Sequence, residues 1–295
     1  MNGFIESFQI VKHRIIEKIF TSKSSKYLSP LIEYLVLAGV LKVWDGVYNS
    51  WEEAPENKDV LEEKIWINKV NRQVDNAIAA YGSGECFFLA SSTQDFFLSL
   101  AAGMLISSIK EDLRILDFGG GMGASYFPLI SSVSEPERVD FHIVEVKKIC
   151  NLGKSKLGKF SKLHFYEKLP ELHAPIHIVH AGSSIQYIPD WKGLLSKFVD
   201  YRPKFLILED VPAGKIPTFV TTQNFYGKKV RSRFLNIDEL VGEIQKLGYR
   251  LIYKSQCTQN FLGNVGGPLP MKNFPPEYQL KYGSHLMFVR VESLK

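Results

Sequence analysis

The sequence of 295 residues predicts an α/β fold: a doubly wound sheet with helices on both faces, preceded by a helical amino-terminal cap. Three observations lead there. Leu113 to Leu129, read as LRILDFGGGMGASYFPL, is a strand, a tight turn and a helix start. From Arg114 onward, short apolar strands alternate with helices. The chain then closes on a helix and two further strands that can pair antiparallel.

The glycine-rich stretch suits a ligand that carries negative charge. Ile115 and Leu116 form its apolar run, Asp117 ends that run, and Gly119, Gly120, Gly121 and Gly123 follow before the chain turns helical. Glycines let the backbone take positive φ and approach a ligand closely, while the free N–H groups of the next helix favour a carboxylate or phosphate. Gly119, Gly121 and Ala124 satisfy the dinucleotide fingerprint G-x-G-x-x-G/A, which keeps nicotinamide and flavin enzymes in contention. Asp117 separates the alternatives. An acid two positions before the first glycine repels a pyrophosphate but favours a cationic amino-acid ligand, and S-adenosylmethionine (SAM) has an ammonium, a sulfonium and a carboxylate. A structural turn that binds nothing is the bland alternative.

Ahead of that stretch the chain reads as helical. Phe4, Phe8, Val11, Ile15 and Ile19 recur at three- and four-residue steps, with Lys12, Arg14 and Lys18 off that face. Such a basic amphipathic helix either packs on its own domain or a homodimer partner, or makes peripheral contact with an anionic membrane surface. A second apolar segment runs from Leu28 to Val43, then Val43 to Ala54 (VWDGVYNSWEEA) reads as a surface loop with aromatic anchors. Lys58 to Tyr81 and Phe87 to Ser108 read as helices separated by Gly82, Ser83 and Gly84. Residues 1–108 are therefore expected to form the cap and residues 109–295 the sheet domain.

Composition excludes several classes. A 45% hydrophobic and 23% charged chain is an ordinary globular protein, so disorder is not expected. The net charge of +5 is spread along the chain without a long Lys/Arg run, and nucleic acid is not an expected partner. Cys86, Cys150 and Cys257 are odd in number and show no CxxC spacing, which fits reduced thiols in a cytoplasmic protein. Charges interrupt the first apolar residues, so no signal-peptide core forms, and no segment approaches the ~20 apolar residues of a spanning helix.

The sheet domain is expected to run as strands at Arg114 to Phe118, Val139 to Val146, Leu163 to Tyr166, Ile176 to His180, Phe205 to Glu209, Arg250 to Ser255 and Leu286 to Val291. Asn236 caps the helix before the last two strands and Gly248 terminates it. Glu145 stands 22 residues past Gly123, where Rossmann-type folds hold a ribose hydroxyl pair. Glu167 follows the third strand, where adenine is often met.

These motifs resemble the class I SAM-dependent methyltransferases across about Leu113 to Val291, whose Rossmann-like seven-stranded sheet inserts strand seven beside strand five. More narrowly, GVYNSWEEA, DFGGGMGASYF, SSIQYIPD and VTTQ (Val220 to Gln223) resemble a methyltransferase family encoded among bacterial surface-polysaccharide genes. That resemblance implies SAM as cofactor, held by Asp117, Gly119, Gly121, Gly123, Glu145, Glu167 and Ser183. It also implies O-methylation of a sugar hydroxyl in a surface-polysaccharide or glycolipid precursor. The chain departs from the family pattern after strand five, where Glu209 is followed by Asp210 rather than a base, and after Gln223, where it reads NFYGKKVRSRF.

Methyl transfer to an alcohol needs a general base, whereas an amine needs only its lone pair. Ligands bind at the carboxyl ends of strands in such sheets, so His180 and Glu209 are the base candidates, and each has a structural alternative as a satisfied core residue or a loop cap. Gln186, Tyr187 and Gln223 are the candidates for contact with the acceptor. Gln223 to Arg233 reads as a basic aromatic loop over the site, and Asn260 to Pro276 as a long connection of the lid type. No metal is required, and no His/Asp/Glu triad shows metal-like spacing. Two competitors belong to other classes. An NAD(P)-dependent oxidoreductase would need a relay such as Tyr-x-x-x-Lys, which is not found after Tyr187; a non-catalytic methyltransferase-fold partner would keep the fold without the chemistry.

Overall fold

The computed structural model describes residues 42–57, 60, 64–85, 96–172, 174–225, 228–258 and 268–291. The helix expected at Phe4 to Ile19, with its dimer or membrane contact, lies outside them, as do Cys86 and residues 260–267 of the connection expected from Asn260 to Pro276. Among the described residues no helix is long and apolar enough to cross a membrane.

Contacts divide the chain into two units. The larger unit, residues 61–211, 239–257 and 284–295, holds a seven-stranded sheet. Its strands are β2 (Leu113–Phe118), β3 (Val139–Val144), β4 (Leu163–Tyr166), β5 (Ile178–Gly182), β6 (Phe205–Val211), β10 (Tyr249–Cys257) and β11 (Gly283–Arg290), in the order β10-β11-β6-β5-β2-β3-β4. β4, β3, β2, β5 and β6 pair in parallel, and β11 enters antiparallel beside β6. The sheet is Rossmann-like, and its last strand is inserted beside β6, as the resemblance implies.

The parallel strands are apolar because both faces are covered. Ile115, Phe141, Ile143, Ile178 and Ile207 are buried in one cluster with the helices α1 (Lys64–Ser83), α2 (Phe97–Ile106), α3 (Tyr126–Ser132) and α4 (Lys147–Leu157). On α1, Val70, Val74 and Ala77 recur at four- and three-residue steps and form its buried stripe. α2 carries no charge and buries Phe97, Leu98, Ala101, Ala102, Leu105 and Ile106. α5 (Trp191–Asp200) starts on Asp190, whose side chain accepts from the Gly193 N–H. α6 (Ile237–Lys246) starts on Asn236, which accepts from the Asp238 N–H, and stops at Gly248 with φ +86°.

The smaller unit takes in residues 1–60, 212–238 and 258–283. Its sheet runs β1-β8-β9-β7, from β1 (Trp44–Tyr48), β7 (Ala213–Gly214), β8 (Phe219–Phe225) and β9 (Lys228–Asn236). Trp44, Phe219, Phe234, Met271, Phe274 and Leu280 form its core. Two expectations are corrected here. VWDGVYNSWEEA is not a plain loop, because Trp44–Tyr48 pairs antiparallel with β8, and the Thr221 and Thr222 hydroxyls both donate to the Asp45 carbonyl. The basic aromatic segment is not a loop either. Its described residues belong to the antiparallel strands β8 and β9, in which Arg231 donates to the Ala54 carbonyl and Arg233 lies 5.0 Å over the Trp51 ring.

The expected boundary at residue 108 does not follow this division. α1 and α2 bury their apolar faces in the core of the large sheet, while the chain between β6 and α6 pairs with the Trp44 strand instead.

Candidate functional site

The site is built by register. Asp117 stands opposite His180 in the β2/β5 ladder, and Glu209 stands opposite Gly182 in the β5/β6 ladder. His180 Nδ1 therefore lies 2.7 Å from Asp117 Oδ1, and its Nε2 lies 2.9 Å from Glu209 Oε2. Carboxylates accept only, so both ring nitrogens donate and the ring is an imidazolium. Burial alone would depress the pKa of His180. The Asp117 charge, the hydrogen bonds to both acids and the Glu209 charge outweigh it and raise the pKa from 6.5 to about 10.

The remaining oxygens of the triad are also engaged. The Ser125 hydroxyl donates to Asp117 Oδ2 at 2.9 Å, and the Phe97 N–H donates to Glu209 Oε1 at 3.3 Å from the start of α2. His285 on β11 extends the row to a fourth strand, with Nδ1 3.9 Å from Glu209 Oε1. Its Nδ1 accepts from the Asp210 N–H at 3.3 Å, so its proton sits on Nε2, which is buried without a partner. Burial holds the His285 pKa below its ordinary value, against the opposing charges of Glu209 and Asp210. Asp210 takes φ +51°, a conformation an L-residue adopts only when its surroundings impose it.

Over this row folds the glycine turn. Gly119 has φ +73°, and a Cβ there would stand 2.5 Å from the Ser184 Cβ. Ser184 closes the same contact by donating to the Phe118 carbonyl. Gly120 is required by space, since a Cβ on it would strike Asp117 Oδ2 at 2.3 Å. The Gly121 N–H donates to Glu145 Oε1 at 3.2 Å, and the other Glu145 oxygen accepts from the Val146 N–H. Burial raises the Glu145 pKa, and those two N–H groups partly offset it. Val70 of α1 covers Gly121.

The structure thus brings together Asp117, Gly119, Gly121, Gly123, Glu145, His180, Ser183, Gln186, Tyr187 and Glu209 at the carboxyl ends of neighbouring strands. Ser183 takes φ +50° and donates its N–H to the Glu209 carbonyl. Gln186 and Tyr187 form the turn after β5; Gln186 Nε2 donates to Ser183 Oγ, and its Oε1 is buried without a partner. Glu167 is exposed at the end of β4. Gln223 lies on β8 of the smaller unit, opposite Trp44 and Val230.

Asp117 was expected to present a free acid to a cation, and His180 and Glu209 to offer a base. All three are at most 6% exposed, and they are paired with one another. With two carboxylates and one imidazolium, the triad carries a net −1 beneath the turn. Neither ring nitrogen of His180 has a lone pair to receive a substrate proton.

Sequence reasoning missed Ser125, His285 and the α1 residue Lys69, whose pKa burial lowers against the opposing charge of Asp210. Only Ser125 had a local signal, as the hydroxyl that opens the helix after the glycines. The expectation of no His/Asp cluster is also corrected. Asp140, His142 and His164 lie together on β3 and β4.

No family model and no curated protein matches the chain. Solved structures similar to it include a 1,6-didemethyltoxoflavin-N1-methyltransferase from Burkholderia thailandensis with bound S-adenosylhomocysteine, at 13% identity and TM-score 0.43, covering 81% of this chain and 93% of that one. A SAM-dependent methyltransferase from Clostridium acetobutylicum gives 10% identity and TM-score 0.45, over 68% and 92%. The magnesium protoporphyrin IX methyltransferase of Synechocystis with bound SAM gives 13% identity and TM-score 0.39, over 94% and 96%. At these scores the overlaps carry no weight of their own. The strand order of this chain rests on its own pairings.

Proposed function

We propose that the chain is a SAM-dependent methyltransferase whose acceptor is a sugar hydroxyl of a surface-polysaccharide or glycolipid precursor. One observation carries the first half: the glycine turn and the Glu145 carboxylate meet at adjoining strand ends, in a sheet that has an antiparallel strand inserted beside β6. The acceptor rests on the four resembling stretches.

The residues present fit the cofactor. Glu145 keeps lone pairs beyond those used by Gly121 and Val146, and these accept from ribose hydroxyls. N–H groups of the glycine turn answer a carboxylate, and the net −1 of the buried triad favours an ammonium and a sulfonium. The unpartnered Oε1 of Gln186 offers one more acceptor in the turn after β5. When bound, SAM supplies a methyl group already activated by its sulfonium. The protein's work is then to orient the acceptor and keep water out.

The dinucleotide reading loses support from the acid under the turn. The non-catalytic reading is favoured by one observation, the full engagement of His180 and Glu209, which leaves no ready base for a hydroxyl; an amine acceptor would need none.

Isothermal titration with SAM, S-adenosylhomocysteine and NADPH in parallel tests the cofactor. Micromolar binding of the first two, weakened by about ten- to a hundredfold in Glu145→Ala, is expected from the loss of a charged acceptor. Binding of NADPH alone overturns the reading. Binding of the product alone, without turnover on glycan precursors, moves the assignment to a non-catalytic partner.

A further inference from the structure

Asp140, His142 and His164 stand toward the amino ends of β3 and β4, whereas Glu145 marks the carboxyl end of β3. Asp140 and His142 are two residues apart on one strand and share a face, and the ladder sets His164 directly opposite His142. The two imidazoles stack with centroids 4.9 Å apart at 22°. One ligand atom from each of the three residues lies within 4.8 Å of the others.

One pair of these atoms is spaced for a metal better than for each other. His142 Nε2 lies 3.3 Å from Asp140 Oδ2, yet the pair is not aligned as a hydrogen bond, and Nε2 is buried without a partner in a residue only 5% exposed. Metal–nitrogen and metal–oxygen bonds of about 2.0–2.1 Å in a tetrahedron set ligand atoms about 3.3 Å apart, with neither donor pointing at the other. His164 Nε2 stands 2.9 Å from the second oxygen of the same carboxylate. On the far side of His142, Nδ1 lies 3.2 Å from the Tyr166 hydroxyl. If that nitrogen of a neutral ring donates to Tyr166, the Nε2 lone pair faces the carboxylate, an arrangement that a cation between them makes favourable.

We infer that Asp140, His142 and His164 form a binding site for a divalent transition-metal ion of the zinc type. Two imidazoles and one carboxylate are donors for such an ion, whereas magnesium and calcium call for oxygen alone. Arg114 Nε, 3.6 Å from Asp140 Oδ2, competes for the carboxylate and keeps the affinity below that of closed thiolate sites. The ion ties the edge strand β4 to β3, and the site is independent of the cofactor reading.

The test uses full-length protein without a polyhistidine tag, stripped with chelator and titrated with zinc chloride and, separately, magnesium chloride. One zinc per chain, no saturable magnesium binding and a Tm several degrees higher with zinc are expected. His164→Ala, which truncates a side chain 38% exposed and so leaves the core intact, weakens zinc binding more than tenfold and removes the rise in Tm. Tyr166→Phe weakens it about tenfold through the imidazole it orients. Absence of zinc binding in the native chain overturns the inference. So does zinc binding that His164→Ala leaves unchanged, since the ion would then sit elsewhere.

Discussion

His180 and His142 are equally buried histidines, 6% and 5% exposed, on parallel strands of one sheet, each beside an aspartate. His180 has a carboxylate on each ring nitrogen, aligned and within 2.9 Å, and the surplus oxygens of those carboxylates take Ser125 and Phe97. His142 has one nitrogen on Tyr166 and the other facing a carboxylate it does not bond. A buried polar group costs free energy unless it is paired. The first cluster is therefore a closed ionic unit that shapes the loop above it, and the second is an open one that calls for a partner from outside.

The strongest way to break this comparison is His180→Ala. It leaves Asp117 and Glu209 as uncompensated acids in a dry interior, and a loss of about 3–5 kcal/mol in urea denaturation is expected. A loss below about 1 kcal/mol would show that the three groups do not act as an ionic unit.

Ser125→Ala removes one donor from Asp117 and is expected to cost about 1.5–3 kcal/mol by the same measurement. The loop conformation, read by SAM affinity, should loosen with it. Stability that falls while affinity holds would separate the triad from the cofactor site.

pH sharpens the contrast. The pKa of His180 is raised in the folded state from 6.5 to about 10, so the folded chain holds that proton more tightly than the unfolded one. Its contribution is complete below about pH 6.5 and is lost as pH rises through about 10. Tm measured across that window should decline in the native chain, and His180→Gln should flatten the decline. An identical slope in both proteins would place the titration elsewhere.

The smallest effect is expected at the open cluster. Without metal, His164→Ala should change stability by less than about 1 kcal/mol, because its partner Asp140 keeps Arg114 and the His164 side chain is itself 38% exposed. A larger loss would mean that the cluster is held together by its own hydrogen bonds.

Much of the site was legible in local pattern. Asp117 and the glycines follow from the strand–turn–helix wording, Glu145 from its distance past Gly123, and His180 and Glu209 from standing at strand ends. Their roles were not legible in the same way. That Asp117, His180 and Glu209 pair with one another depends on the β2/β5 and β5/β6 registers, which join residues 63 and 29 positions apart. The strand pairing of Gln223 and the basic residues after it was not legible for the same cause, since the strand that organises them begins at Trp44 and the bond from Thr221 to Asp45 spans 176 positions.

The sequence by itself determined the α/β class, the glycine turn and the acid that follows β3, because each is written in the spacing of residues within about twenty positions or in the order of elements. Tertiary structure alone decided which acids are free and which are paired, that Asp140-x-His142 meets His164, and that residues 44–48 form a sheet with 219–236. Ladder register is set by burial across strands distant in sequence, and a shift of one residue would turn every one of these side chains to the opposite face.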